Sequence, residues 1–344
     1  MPGTDTTLPD WARAHGSPVF RGVVKQSPND FKVDEVLGFA PTGDGEHDFL
    51  LVEKTDANTA WVARGLAAHG SVNARDAGFA GLKDRRAVTT QWFSVRRPSG
   101  AGTDWRALDL PGVRILEQTR HNRKLKRGAH AANRFRIVIR FADINKEGVI
   151  ERLESICAVG VPNYFGPQRF GRNASNLVVA NAVFKGKRVN RDQRSMAISA
   201  ARSYIFNEVL SARVSAGTWN QVLVGEPLNL DSTGSYFVPN EVDRQLKSRL
   251  RSFDIHPTGP LWGKDDSRCS GAAAEIEQAV ADANPDFVTG LRKVGARTDR
   301  RALRMPVHDC SWHISAESLE LAFRLGKGSF ATAVLRELMT TADE

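Results

Sequence analysis

The sequence predicts an α+β chain in which strand-rich ends enclose a helix-rich middle. Three observations carry this reading. Short alternating or apolar runs open the chain at 19–24, 31–37 and 49–53 and return at 92–95, 113–117 and 135–141. Helical spacing takes over near residue 145, across 146–158, 175–184, 194–215, 242–253 and 272–282. Beyond Pro306 the alternation comes back at 308–314 and 319–325, before a closing amphipathic helix at 330–338. Sheet, helices and sheet again is the pattern of an inserted domain, with parts 1–158, 159–305 and 306–344.

Taken in order, the first strands are separated by Ser27-Pro28-Asn29-Asp30 and by the glycine-rich stretch 42–45. A helix fits 59–68, with Asn58 as N-cap and Gly70 just past its end. In the run 135–141, Phe135, Ile137, Ile139 and Phe141 alternate with Arg136, Val138 and Arg140, giving one apolar and one largely basic face. The stretch 254–264, with two prolines and two glycines, reads as turns.

A chain of 344 residues can hold two domains, and 41% hydrophobic with 25% charged residues is ordinary globular composition. The balance of 48 basic against 39 acidic residues gives a net charge of +9 and points to a polyanionic partner. Cys157, Cys269 and Cys310 are far apart, with no CxxC, which suits a reducing compartment. Residues 1–10 lack a signal-peptide pattern, and no apolar run reaches membrane-spanning length. These features predict a cytoplasmic protein with no membrane partner.

The stretch Ala80-Gly81-Leu82-Lys83-Asp84-Arg85-Arg86-Ala87-Val88-Thr89-Thr90-Gln91 is the most informative. Asp84 is a carboxylate between cations, on a turn that Gly78 and Gly81 permit, just before a strand. An anionic nucleophile or base framed by phosphate-holding cations suits chemistry on a nucleic acid; the plain alternative is a surface turn residue. Several aromatics stand beside turn residues: Phe31, Phe135, Tyr164, Phe165, Phe170 and Phe330. Rings so placed could restack an extruded base, although core packing is the ordinary role of each. Asn133 offers an amide donor and acceptor that could read a uracil edge, or could serve a turn. The run Arg120 to Arg127 carries five Lys or Arg in eight residues, and Arg123, Lys124, Lys126 and Arg127 are candidate phosphate contacts. His308, Cys310 and His313 do not share one strand face, so no metal is expected. Neither a P-loop nor a GxGxxG after a strand is present, so no nucleotide cofactor is expected.

The Asp84 stretch, Gly160-Val161-Pro162-Asn163-Tyr164-Phe165-Gly166-Pro167-Gln168-Arg169-Phe170-Gly171, Ser27 to Phe31, Gly128 to Phe135 and Gly328 to Thr332 together resemble the TruD family of tRNA pseudouridine synthases. The resemblance covers about 18–340 in the family's order and is weak over roughly 217–300. It implies a pseudouridine synthase fold with a mixed, mainly antiparallel sheet and an inserted α/β domain. It also implies catalysis by Asp84, substrate binding by Phe31, Asn133 and Phe330, a ring at Phe135 near the target base, and Lys25 paired with the catalytic carboxylate. Asn29 stands where the family usually has an acidic residue, and Leu82 and Arg86 occupy variable positions.

The implied reaction is isomerisation of uridine to pseudouridine in tRNA, at the thirteenth nucleotide, with no cofactor or metal. In that scheme the uracil turns between Phe135 and Phe330 while Asn133 holds it. Two other classes compete: a non-catalytic RNA-binding protein or RNA chaperone, which would need the 120–127 charges but not Asp84, and a metal-dependent nuclease, which would want carboxylates clustered beside Asp84.

Overall fold

The computed structural model describes residues 7–97 and 102–341; residues 1–6 of the polar amino-terminal stretch lie outside the described residues. The chain forms two compact units. One, the sheet unit, comprises Val19–Val149, Val307–Gly328 and Met339–Glu344; the other, the helical unit, comprises Met1–Pro18, Ile150–Pro306 and Ser329–Leu338.

In the sheet unit, seven strands run across the sheet in the order His308–Ile314, Ser318–Gly326, His130–Arg140, Phe31–Leu37, Val88–Arg96, His47–Thr55 and Val113–His121. Neighbours are antiparallel except Phe31–Leu37 with Val88–Arg96. Phe20–Val24 pairs in parallel with Met339–Thr341 and antiparallel with His130–Arg140, and Ala77–Phe79 adds to Val88–Arg96. The sheet is therefore mixed and mainly antiparallel.

The first helix, Thr59–His69, starts where Asn58 Oδ1 accepts from the Ala60 and Trp61 amides at 2.9 and 3.4 Å. It lays Val62 and Leu66 on Leu50, Val52, Phe93 and Val95 of the sheet, with Trp105 closing the cluster. A smaller cluster of Phe49, Ala80, Trp92 and Leu125 seats two loops on the sheet, the one carrying Asp84 and the one carrying the basic run.

The helical unit packs helices Ser175–Phe184, Arg191–Ser215, Gly271–Ala283 and Pro285–Lys293 with a four-stranded antiparallel sheet, ordered Tyr236–Phe237, Leu228–Leu230, Ile255–Leu261, Asp299–Ala302. Two buried ion pairs, Arg213–Glu226 at 2.8 Å and Arg300–Glu277 at 2.5 Å, lie inside it.

Two local expectations change. Residues 254–264 hold a strand rather than turns: Ile255–Leu261 pairs with Leu228–Leu230 over one half and Asp299–Ala302 over the other. Pro257 turns its carbonyl to the Leu303 amide at 2.8 Å, so the donor it lacks faces that side and its register with Leu228 survives. Asn133 and Phe135 are not at a turn, because the strand begins at His130. Tyr164, Phe165 and Phe170 keep the ordinary role of such rings: with Trp11, Phe206 and Leu210 they form one buried cluster, and Tyr164 Oη donates to the Ala12 carbonyl at 2.9 Å.

Candidate active site

The site lies in the sheet unit, on the loop between Ala77–Phe79 and Val88–Arg96. A loop of this length could wander, but successive groups of it are held. The Gly81 carbonyl accepts from Gln91 Nε2 at 3.2 Å, and the Lys83 amide donates to Thr59 Oγ1 at 3.1 Å. Thr59 Oγ1 in turn donates to Gln91 Oε1 at 3.1 Å, which fixes the Gln91 amide. The Asp84 carbonyl accepts from Lys54 Nζ at 3.0 Å, and that ammonium also donates to the Ala57 carbonyl at 2.7 Å. Such support holds the Asp84 loop close to one geometry.

Side chains finish the arrangement. Asp84 Oδ2 meets Lys25 Nζ at 2.8 Å, with 44% of the Asp84 side chain still exposed. The carboxylate is thus both paired and reachable. Lys25 Nζ also sits 4.0 Å from the centre of the Phe31 ring, a cation–π contact. Phe31 meets Phe135 edge-on at 6.2 Å, and Phe135 stacks on Phe323 at 5.4 Å. The register explains this row, since Phe135 lies opposite both Val33 and Phe323, one rung from Phe31 opposite Ile137.

The next rung in the other direction is polar. Glu35 lies directly opposite Asn133, both buried, and Lys83 Nζ reaches both: 2.9 Å to Glu35 Oε2 and 2.5 Å to Asn133 Oδ1. Glu35 Oε1 accepts from the Trp92 amide at 3.2 Å. Burial pushes the Glu35 carboxyl above its ordinary value, against the pull of Lys83 and of that amide. Burial also lowers Lys54 to about 8, with Lys83 adding to the effect and Asp84 opposing it. His130 falls to about 4 through burial and the nearby charges of Lys83 and Lys327, which leaves a neutral imidazole at pH 7.

Of the residues picked out in the sequence, the fold brings Lys25, Phe31, Asp84, Asn133 and Phe135 into one chain of contacts. Phe330 belongs to the helical unit, partly exposed immediately before helix Ala331–Leu338. The basic run starts inside strand Val113–His121 and continues as an exposed loop anchored by buried Leu125, whose amide donates to Ser94 Oγ at 2.9 Å. There Arg123 and Lys126 are exposed, Lys124 donates to the Arg75 carbonyl, and the Arg127 guanidinium lies 3.8 Å from the Phe79 ring centre. The Gly128 amide donates to the Ala80 carbonyl at 2.7 Å, tying this loop to the one that carries Asp84. Among the described residues no group of three or more His, Cys, Asp or Glu could hold a metal ion, and no helix is long and apolar enough to cross a membrane.

A family model for tRNA pseudouridine synthase D (TruD) matches residues 13–188 and 186–338. The chain belongs to the tRNA pseudouridine synthase D family. It is 46% identical over 345 aligned residues to the tRNA pseudouridine synthase D of Methylococcus capsulatus, covering 98% of this chain and 95% of that one. Identity to the protein of the same name in Xanthomonas axonopodis pv. citri is 42%, covering 96% and 95%. A solved structure of a TruD candidate from Methanosarcina mazei shares the fold, with a TM-score of 0.74 at 21% identity and 95% of each chain covered.

For this member of the TruD family, sequence reasoning left out Lys54 and Glu35, and it read Lys83 as a phosphate-holding cation framing Asp84, whereas its ammonium is buried against Glu35 and Asn133. The signal for Lys54 was present: it continues the inward alternation of Leu50 and Val52, a cation where the pattern calls for an apolar residue. Glu35 likewise continues Phe31 and Val33.

Proposed function

We propose that the protein is a tRNA pseudouridine synthase, an isomerase converting one uridine of tRNA, the thirteenth nucleotide, to pseudouridine with Asp84 as the catalytic carboxylate. The observation that carries this is Asp84 itself: an accessible carboxylate, ion-paired to Lys25 at 2.8 Å, on a loop held at Gly81, Lys83 and Asp84. The target nucleotide leaves its stack at a cost of about a few kcal/mol, which exposes its glycosidic bond. Asp84 then acts on the ribose as the C1′–N1 bond breaks; attack at C1′ and removal of the C2′ proton both require the carboxylate anion. The freed uracil turns and C5 bonds to C1′, which displaces the Asp84 ester in the first route and is accompanied by return of the proton from Asp84 to C2′ in the second; the proton then lost from C5 is balanced by the one gained at N1. Atoms and electrons balance within the substrate, so this scheme calls for no cofactor or metal.

In this reading Phe31 and Phe135 form the apolar floor beside the reacting carboxylate, Asn133 contacts the base, and Phe330 supplies a stacking ring. Arg123, Lys124, Lys126 and Arg127 contact phosphates, 159–305 is the family's inserted domain, and 1–158 with 306–344 form the catalytic domain. The protein works in the cytoplasm, where its substrate is. Carbodiimide mapping of pseudouridine on unmodified tRNA transcripts tests this: one new stop at nucleotide 13 is expected, and a stop elsewhere overturns the position.

A further inference from the structure

Asn133 can read a base edge in two ways, because its amide carries a donor at one end and an acceptor at the other. In this fold the choice is made. Lys83 Nζ lies 2.5 Å from Asn133 Oδ1, and an ammonium has hydrogens to give but no lone pair to offer. The amide oxygen must therefore face Lys83 and the NH2 must face away. Lys83 is in turn held by Glu35 at 2.9 Å, with both side chains almost fully buried. Glu35 is the direct cross-strand neighbour of Asn133 and is itself tethered by the Trp92 amide. Among the described residues Nδ2 takes no protein acceptor, and it is not sealed inside the fold.

We infer that Lys83, held by Glu35, is a positioning residue that locks the Asn133 amide with its NH2 outward, so that the site offers the target base a hydrogen-bond donor. The inference rests on the proposed contact between Asn133 and that base.

The chemistry of the rotation favours such a device. Turning uracil by half a turn about the axis through N3 and C6 exchanges N1 with C5 and also O2 with O4. A fixed donor aimed at one carbonyl position therefore meets an acceptor both before and after the turn. Cytosine fails this condition when the Asn133 NH2 faces position 4 of the bound base, since its exocyclic amino group replaces O4 and donor then meets donor on binding. A locked amide thus selects uracil over cytosine, whereas a freely turning amide would accept either.

The test measures affinity for two transcripts that differ only in carrying uridine or cytidine at the mapped target position. Turnover is removed by the Asp84→Asn background. There the cytidine transcript should bind roughly tenfold more weakly, as expected when a donor is left facing a donor, and equal affinities would overturn the inference. Adding Lys83→Met with Glu35→Leu, which removes both charges together, should bring the ratio close to one. Both RNAs are read with the same preparation, so a partly unfolded variant changes both affinities alike and leaves their ratio intact. A ratio that stays at the background value overturns the inference. Asn133→Ala in the same background separates the two readings: if it leaves the ratio untouched, the contact between Asn133 and the base is what has failed. If Asn133→Ala abolishes the discrimination while the Lys83 and Glu35 replacements do not, only the locking role is lost.

Discussion

Lys25 and Asp84 meet at 2.8 Å across 59 residues of sequence, and Lys25 makes the contact from the left-handed backbone region, at φ 58°. An L-residue other than glycine pays a conformational penalty there, so the fold holds this side chain in place at a cost. The same ammonium lies over Phe31, which leaves it one position between ring and carboxylate.

Replacing Lys25 separates function from backbone strain. Lys25→Ala and Lys25→Gly should both slow single-turnover isomerisation, by about a hundredfold, through loss of the cation that places Asp84. In denaturant unfolding Lys25→Gly should be the more stable of the two by about 1 kcal/mol, because glycine takes the left-handed region freely. Equal stabilities would contradict the strain, and wild-type rates would contradict the placement.

Lys54 makes alkaline stability diagnostic. Below pH 8 the folded and unfolded chains both hold its proton, and the fold bears the cost of the buried charge. Between about 8 and the ordinary lysine value of 10.5 the folded chain has released the proton and the unfolded chain has not, so stability gains with rising pH. The gain is of the order of 1.4 kcal/mol per pH unit at most. Urea unfolding of wild type and Lys54→Met from pH 7 to 10 should therefore show wild type improving relative to the variant. Parallel profiles would show that Lys54 titrates as an ordinary lysine.

Within the basic loop, members of one run should behave differently. Arg123 and Lys126 are exposed, so their joint replacement by alanine should weaken tRNA binding and flatten its salt dependence by roughly 1.5 in the log–log slope. Arg127 covers the Phe79 ring, and Arg127→Ala should also cost about 0.5–1 kcal/mol of stability. Filter binding across salt concentrations and thermal unfolding check the two halves; an unchanged slope would remove Arg123 and Lys126 from the RNA surface.

Much of the fold could be read before the structure. Phe31–Leu37 and Ser175–Phe184 match their expected bounds, the first opened by the alternation Phe31-Lys32-Val33-Asp34 and the second carried by helical spacing throughout. What hid was decided by pairing partners distant in sequence. The run His130-Ala131-Ala132-Asn133 has no β-branched or apolar alternation of its own, yet it is strand because Phe31–Leu37 and Ser318–Gly326 pair on its two sides. The same pairing sets Glu35 against Asn133, a relation that no local pattern encodes. Lys54 was lost for a different reason: the strand was read as ending at residue 53, one short of the cation it delivers to the Asp84 carbonyl.

Whether Asp84 carries the chemistry is read directly by carbodiimide mapping of unmodified tRNA transcripts after incubation with wild type and with Asp84→Asn. One new stop is expected with wild type and none with the variant, while the variant still binds the transcript. Pseudouridine formed by Asp84→Asn at the wild-type rate would contradict that role. Binding by both proteins with a stop from neither would instead favour an RNA-binding protein that does not use Asp84.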